Sequence, residues 1–306
     1  MGAPRKMSTI GIVGGVGPYA GLDLARKIFD HTDARCDQEH LDVLLINSPR
    51  CIDDRTAYIL AAGRGHSTLD PATDPANPGR GILACLRTLV AAGATVCGVP
   101  CNTAHAPLIF DVVEREVAVQ FPHLQLVHLI RETVHILHTL VPAGCCIGLL
   151  ATPGTYASGV YQTHLERLAS DAQYRLLEPE AAGKQRLYEA IYDTEYGIKA
   201  QSAPVTARAL EVLSSEAWGL YERGADALIM GCTEIPLALD CHAFPFPLID
   251  PAAVLARALI RAVDPGRLRP ASGTGMFPPY ATPPLDVTIS AYPSHTPETS
   301  SLPLAG

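Results

Sequence analysis

Ile10-Gly-Ile-Val-Gly-Gly-Val-Gly-Pro-Tyr-Ala20 aligns without a gap on Ile147-Gly-Leu-Leu-Ala-Thr-Pro-Gly-Thr-Tyr-Ala157, an offset of 137 residues. A second pair of blocks follows in the same order. Gly93-Ala-Thr-Val-Cys-Gly-Val-Pro-Cys-Asn-Thr103 aligns on Gly224-Ala-Asp-Ala-Leu-Ile-Met-Gly-Cys-Thr-Glu234, at an offset of 131. Each first block is a short apolar run closed by a glycine-containing loop, and each second block is an apolar run that ends in a cysteine. Two matched pairs in one order, at nearly one separation, describe a chain built twice.

Working outward, the same texture recurs. Apolar runs at Val43–Ile46, Leu124–Leu129, Cys146–Leu150 and Ala225–Met230 read as strands. Between them, Ala20–Thr32, Leu83–Ala92, Arg131–Leu140, Ser158–Ala169 and Pro251–Val263 have the spacing of amphipathic helices. Strand, loop and helix in alternation predict parallel sheets covered on both faces. The expected fold is α/β, with two similar parallel-sheet, flavodoxin-like domains related by a pseudo-two-fold axis around a central cleft. The first domain is expected over 1–118 plus 239–263 and the second over 119–238. From 264 to 306 proline recurs with Ser and Thr between, which predicts an extended tail. Tyr280 and Ile289 are the residues by which it would lie along the body or a partner subunit. The Pro- and Gly-rich stretch from His66 to Gly81 reads as a long loop and a candidate lid.

Composition bounds the function. Of 306 residues, 48% are hydrophobic and 18% charged, enough for a large core and against global disorder. A formal charge of −8, with no basic block to offset it, argues against nucleic-acid or anionic-membrane partners. No apolar run reaches bilayer length, and Met1–Lys6 is not followed by a signal-length apolar segment, so the expected location is cytoplasmic. Nine cysteines, an odd number without C-x-x-C spacing, read as reduced and mostly buried.

Two of those cysteines stand apart because the repeat matches them: Cys101 in Pro100-Cys-Asn-Thr-Ala-His105 and Cys232 in Gly231-Cys-Thr-Glu-Ile-Pro236. Each follows a strand, so each falls at the carboxyl edge of a parallel sheet, where ligand clefts form. If the halves face one another, two thiols flank a small substrate from opposite sides, and nearby backbone amides can stabilise a thiolate. Cys97, Cys101 and His105 stand four apart. Cys97, however, belongs to the strand and Pro100 interrupts any helix, so zinc is not expected and His105 reads as a helix-start residue near the cleft. The loop Gly15-x-Gly17-x-x-Ala20 resembles a dinucleotide fingerprint, but the next strand ends in Asn47-Ser48 without an acidic residue. The loop also lacks lysine, so a nucleotide is not expected. What survives is a close backbone approach and a helix N-terminus that favours an anion such as a carboxylate. Lysine is scarce (Lys6, Lys27, Lys184 and Lys199), which singles out Lys199, while Arg50 and Arg55 follow the second strand at the edge that carries Cys101.

Together these segments resemble the aspartate/glutamate racemase superfamily, and within it the aspartate racemase branch. The resemblance is carried by Ile10–Pro18, Asp54-Arg-Thr56, Pro100–His105, Gly197-Ile-Lys199 and Gly231–Pro236, in family order over about 10–260. It implies a cofactor-independent, metal-free enzyme with its site between two α/β domains and Cys101 and Cys232 as the catalytic pair. It further implies that Arg55 and Lys199 hold the side-chain carboxylate of an acidic amino acid. Asn102, Thr103, Thr152 and Thr233 would contact the amino and α-carboxylate groups, and the protein would be a homodimer. The chain departs from the family pattern at Asp53, where proline is usual, and Arg50 adds a positive group nearby. Three readings follow: a two-base racemase, a related isomerase or decarboxylase of a small diacid, and a non-catalytic diacid-binding protein.

Overall fold

In a computed structural model of the chain, residues 8–64, 70–240 and 244–270 are described. Eight strands and ten α-helices alternate from the first of these residues to the last. The first half runs β1 (Thr9–Gly14), α1 (Pro18–His31), β2 (Val43–Asn47), α2 (Arg55–Gly63), α3 (Gly79–Ala91), β3 (Ala94–Gly98), α4 (Pro107–Gln120), β4 (Gln125–Val127) and α5 (Leu129–Leu140). The second runs β5 (Cys146–Ala151), α6 (Pro153–Ser158), α7 (Val160–Leu168), β6 (Arg175–Leu177), α8 (Ala181–Tyr192), α9 (Ala207–Glu222), β7 (Ala227–Gly231), β8 (Leu248–Ile249) and α10 (Pro251–Val263).

The strands form two parallel four-stranded sheets, ordered β2-β1-β3-β4 and β6-β5-β7-β8. Counted from the start of each half, the order is the same, so the repeat in sequence is a repeat in topology. Three apolar clusters hold the layers together. One lies beneath α3 and α4, around Val13, Ile82 and Phe110, and another beneath α8 and α9, around Leu150, Leu213 and Phe246. Between the sheets a third cluster joins both halves, with Ile10 and Ile12 of β1, Ile147 and Leu149 of β5, and the inner faces of α1, α5, α7 and α10. Both faces of each sheet are therefore covered, which is why the strands read as unbroken apolar runs.

The expected domain limits move. β4 pairs with β3 and β8 pairs with β7, so the chain crosses between sheets after Val127 and after Ile249, not at 119 and 239. α10 is not confined to the first half: it packs on α1 and α5 and touches strands of both sheets. The expected tail begins later than 264. Arg269 donates its backbone N–H to His31, and Leu268 bridges Thr32, so 264–269 are fastened to the end of α1. Tyr280 and Ile289 lie outside the described residues. Of the expected loop at 66–81, the part from Gly79 onward is already α3, and 65–69 lie outside the described residues. No helix among the described residues is long and apolar enough to cross a membrane.

Candidate active site

Cys101 lies just beyond β3 and Cys232 immediately follows β7, so both sit at the carboxyl edges of their sheets. They line one pocket, and all eight residues singled out from sequence line it with them: Arg55, Cys101, Asn102, Thr103, Thr152, Lys199, Cys232 and Thr233. Val16, Thr56, Tyr192 and Glu234 complete the wall. Arg50 is exposed and is not part of it. The side of the pocket that carries Cys101 belongs to the first half and the side that carries Cys232 to the second.

The mirror relation extends to atomic contacts. A Cβ on Gly17 would stand 2.1 Å from Glu234 Oε1, and one on Gly154 would stand 2.7 Å from Thr103 Cγ2. Gly17 and Gly154 are equivalent in the first repeat, Thr103 and Glu234 in the second. Each glycine thus admits the residue that follows the other half's cysteine by two. The Glu234 carboxylate therefore lies beside Gly17, the residue that precedes α1.

Three links pin the loop that carries Cys101. Thr233 Oγ1 donates to the carbonyl of Pro100 at 2.9 Å, and Tyr161 Oη donates to Asn102 Oδ1 at 2.6 Å. Both of those come from the second half. From its own half, His105 Nδ1 stands 2.8 Å from the Cys101 carbonyl oxygen. Thr103 Oγ1 forms a hydroxyl triangle with Thr152 and Thr155 of the opposite half, at 3.0 and 2.8 Å. The hydroxyls of Thr103, Thr152 and Thr233 therefore already have protein partners, though each oxygen keeps acceptor capacity.

Charge is concentrated and buried. Arg55 opens α2 behind its N-cap Asp54 and gives Nη2 to Val16 O (2.7 Å) and Nη1 to Asp53 O (3.1 Å). Its Nε has no hydrogen-bond partner among the described residues, and neither has Asn102 Nδ2. Two unfilled donors in a buried wall suit an anionic ligand, because leaving them unmet is costly. Burial disfavours the Arg55 cation, yet Cys101, Tyr192 and Asp54 together hold its pKa above the ordinary value. Lys199 Nζ pairs with Glu234 Oε1 at 2.5 Å. Burial opposes both charges, and their mutual attraction overrides it, raising the lysine and lowering the glutamate. Cys232 Sγ donates to Glu234 Oε2 at 3.0 Å. Burial first, and the glutamate charge second, push the Cys232 thiol well above its usual pKa, so at neutral pH it is protonated.

The comparisons with known proteins bear on the family and the fold. The Asp/Glu/Hydantoin racemase family model matches residues 13–259. The chain belongs to that family. Its reaction class is that of an amino-acid racemase. A glutamate racemase from Pseudomonas aeruginosa (strain UCBPP-PA14) is 31% identical over 203 residues, covering 63% of this chain and 67% of that protein. Among solved structures, Picrophilus torridus aspartate racemase superposes with a TM-score of 0.65 at 26% identity, covering 84% of this chain and 94% of that one. An aspartate racemase homologue from Pyrococcus horikoshii OT3 shares the fold, with a TM-score of 0.58 at 20% identity and coverage of 84% and 99%.

Sequence reasoning missed Glu234. The signal was available, because the second repeat pairs Glu234 with Thr103, which was selected. Tyr192 and Thr56, whose hydroxyls meet at 3.3 Å across the cleft, had no such signal.

Proposed function

We propose that this racemase inverts the α-carbon of an acidic amino acid, aspartate or its homologue glutamate, with Cys101 and Cys232 as its two bases. The observation that carries the reading is that mirrored loops bring both sulfurs to the wall of one pocket together with two cations. The relatives named as aspartate and glutamate racemases support the substrate class.

One thiolate removes the α-hydrogen from one face and the opposite thiol delivers a proton to the other, so the sulfurs exchange protonation states in each turnover. Arg55 faces Cys101, while Cys232 starts as a thiol hydrogen-bonded to Glu234. Abstraction by Cys101 and delivery by Cys232 is therefore the direction that the resting thiol of Cys232 favours. The reverse direction needs Cys232 deprotonated, and Glu234 is the acceptor already in contact with its proton. As the α-carbon loses its proton, charge moves onto the α-carboxylate. The free Asn102 amide N–H can meet it there, which is the kind of preorganised donor that lowers such barriers. Arg55 Nε and the remaining Lys199 donors hold the side-chain carboxylate, and the chemistry is confined to groups of this chain.

The test is a panel of L- and D-amino acids incubated in deuterium oxide and followed by NMR and chiral analysis. The wild type should racemise aspartate, glutamate or both with incorporation of α-deuterium. Cys101→Ser and Cys232→Ser should each abolish inversion, while exchange persists from the one enantiomer that the remaining thiol serves. Normal inversion by both serine variants would exclude the cysteine pair, and binding without exchange would reduce the protein to a diacid receptor.

A further inference from the structure

Behind the Cys101 loop, away from the pocket, three buried histidines form a column that spans the two halves. His105 follows β3, His128 caps the start of α5, and His164 lies on α7. Their rings stand 4.6 Å (His105 to His128) and 4.9 Å (His128 to His164) apart, and Phe110 of α4 stacks on His105 at 4.1 Å. Both nitrogens of His105 are engaged. Leu129 donates its backbone N–H to Nε2 at 3.2 Å, so Nε2 carries the lone pair. The ring proton must then sit on Nδ1, which donates it to the Cys101 carbonyl oxygen at 2.8 Å. Backbone geometry alone therefore fixes one neutral tautomer.

We propose that His105 is a positioning residue for Cys101: its Nδ1–H bond to the Cys101 carbonyl sets the backbone from which the sulfur projects, and the column ties that setting to the second half. The proposal rests on the two-base reading but adds a residue that touches neither substrate nor sulfur. The groups facing His105 suit a permanently neutral bridge. His128 and His164 adjoin it in the column, Arg131 stands nearby on α5, and Phe110 covers the remaining face. Burial, only partly opposed by the bond to the Cys101 carbonyl, keeps the ring uncharged, its pKa pushed down to about 3. A ring in that state exchanges no proton at working pH; it only holds.

Three substitutions separate the two bonds. His105→Phe keeps the stacking and loses both hydrogen bonds. His105→Asn places an amide N–H where Nδ1 stood, and His105→Gln reaches instead toward the Nε2 position. Turnover by the Phe and Gln variants should fall about 30-fold or more with KM within about threefold, whereas Asn should recover to within about fivefold of wild type. A second measurement needs no substrate: iodoacetamide labelling of the native protein, read per cysteine by peptide mass spectrometry. The Cys101 rate should change about fivefold or more in the Phe variant while that of Cys232 stays within about twofold. Turnover within threefold for His105→Phe, equal losses for all three variants, or both cysteine rates moving together would overturn the proposal. A wild type that exchanges no α-hydrogen would overturn the racemase reading instead, and the labelling rates would still decide whether His105 positions Cys101.

Discussion

At the scale of single residues, Glu234 sets the electrostatics of the pocket. It is 4% exposed and carries a charge shared between Lys199 and the Cys232 thiol. Glu234→Gln keeps the shape and removes the charge. With a like charge gone, the Cys232 pKa should fall, raising its iodoacetamide labelling about tenfold. The same change leaves Lys199 unpaired, so KM for the acidic substrate should fall several-fold. An unchanged labelling rate and KM would mean that the carboxylate does not control the site. Gly17 belongs to the same account: Gly17→Ala would drive a methyl into the glutamate oxygen, so labelling of Cys232 should change there as well, without any change of charge. Much of this pocket was legible in the sequence, because a repeat ending twice in cysteine marks both sulfurs, and the segments singled out with them supply polar side chains of its lining. Glu234 was not read because its mirror partner is a threonine, and side-chain chemistry does not follow the symmetry. Tyr161 and the His105 bond were hidden for another reason. Their meaning depends on which helix crosses behind the loop, and no local pattern encodes that.

Among the elements, α10 joins the halves along its whole length. Its N-cap Asp250 follows β8 of the second sheet, while its body is packed on α1 and α5. Lys27 of α1 bridges Asp250, at 2.5 Å, and Asp23 of its own helix, with all three side chains largely buried. Burial works against the Lys27 charge, and Asp250 and Asp23 together more than offset it, raising its pKa. Replacing Lys27 by Met would leave the buried Asp250 carboxylate without its ion-pair partner, while Asp23 keeps Arg26 at 2.7 Å. The expected cost is about 3 kcal/mol in urea unfolding, because removing one partner strands the other. The double variant Lys27→Met with Asp250→Asn should recover part of that loss. A loss below about 1 kcal/mol would show the triad to be inert. The bounds of α10 were read correctly from its amphipathic spacing, and β1, β2, β5 and α5 were read to within two residues. The domain limits were misplaced because β4 and β8 are three and two residues long. A strand that short has no periodicity, and only its hydrogen-bonded neighbour assigns it to a sheet.

Over the whole molecule, the histidine column couples stability to pH. Burial holds His105 neutral with a pKa near 3, and His31, beside Arg257, with a pKa near 4. His128 and His164 are lowered by burial as well. In the unfolded chain each of these groups takes a proton near pH 6.5. Between that value and the folded pKa the unfolded state binds more protons, so stability falls as pH falls, starting below about 6.5. The folded carboxylate Glu234 shifts stability in the same direction, in a lower window, since its lowered pKa is lost only on further acidification. For His105 alone the loss between about pH 6.5 and 4.5 is about 2 kcal/mol. His128 and His164 steepen the slope, and charging His128 would set a cation between two close histidine rings. Urea unfolding at steps across that range should therefore show a steadily falling midpoint for the wild type. His105→Phe removes one titrating group, so its curve should be flatter by about 1.4 kcal/mol per pH unit, and the two curves should converge on acidification. Parallel curves would mean that His105 is already protonated in the folded protein, which its hydrogen bond from Leu129 to Nε2 does not permit.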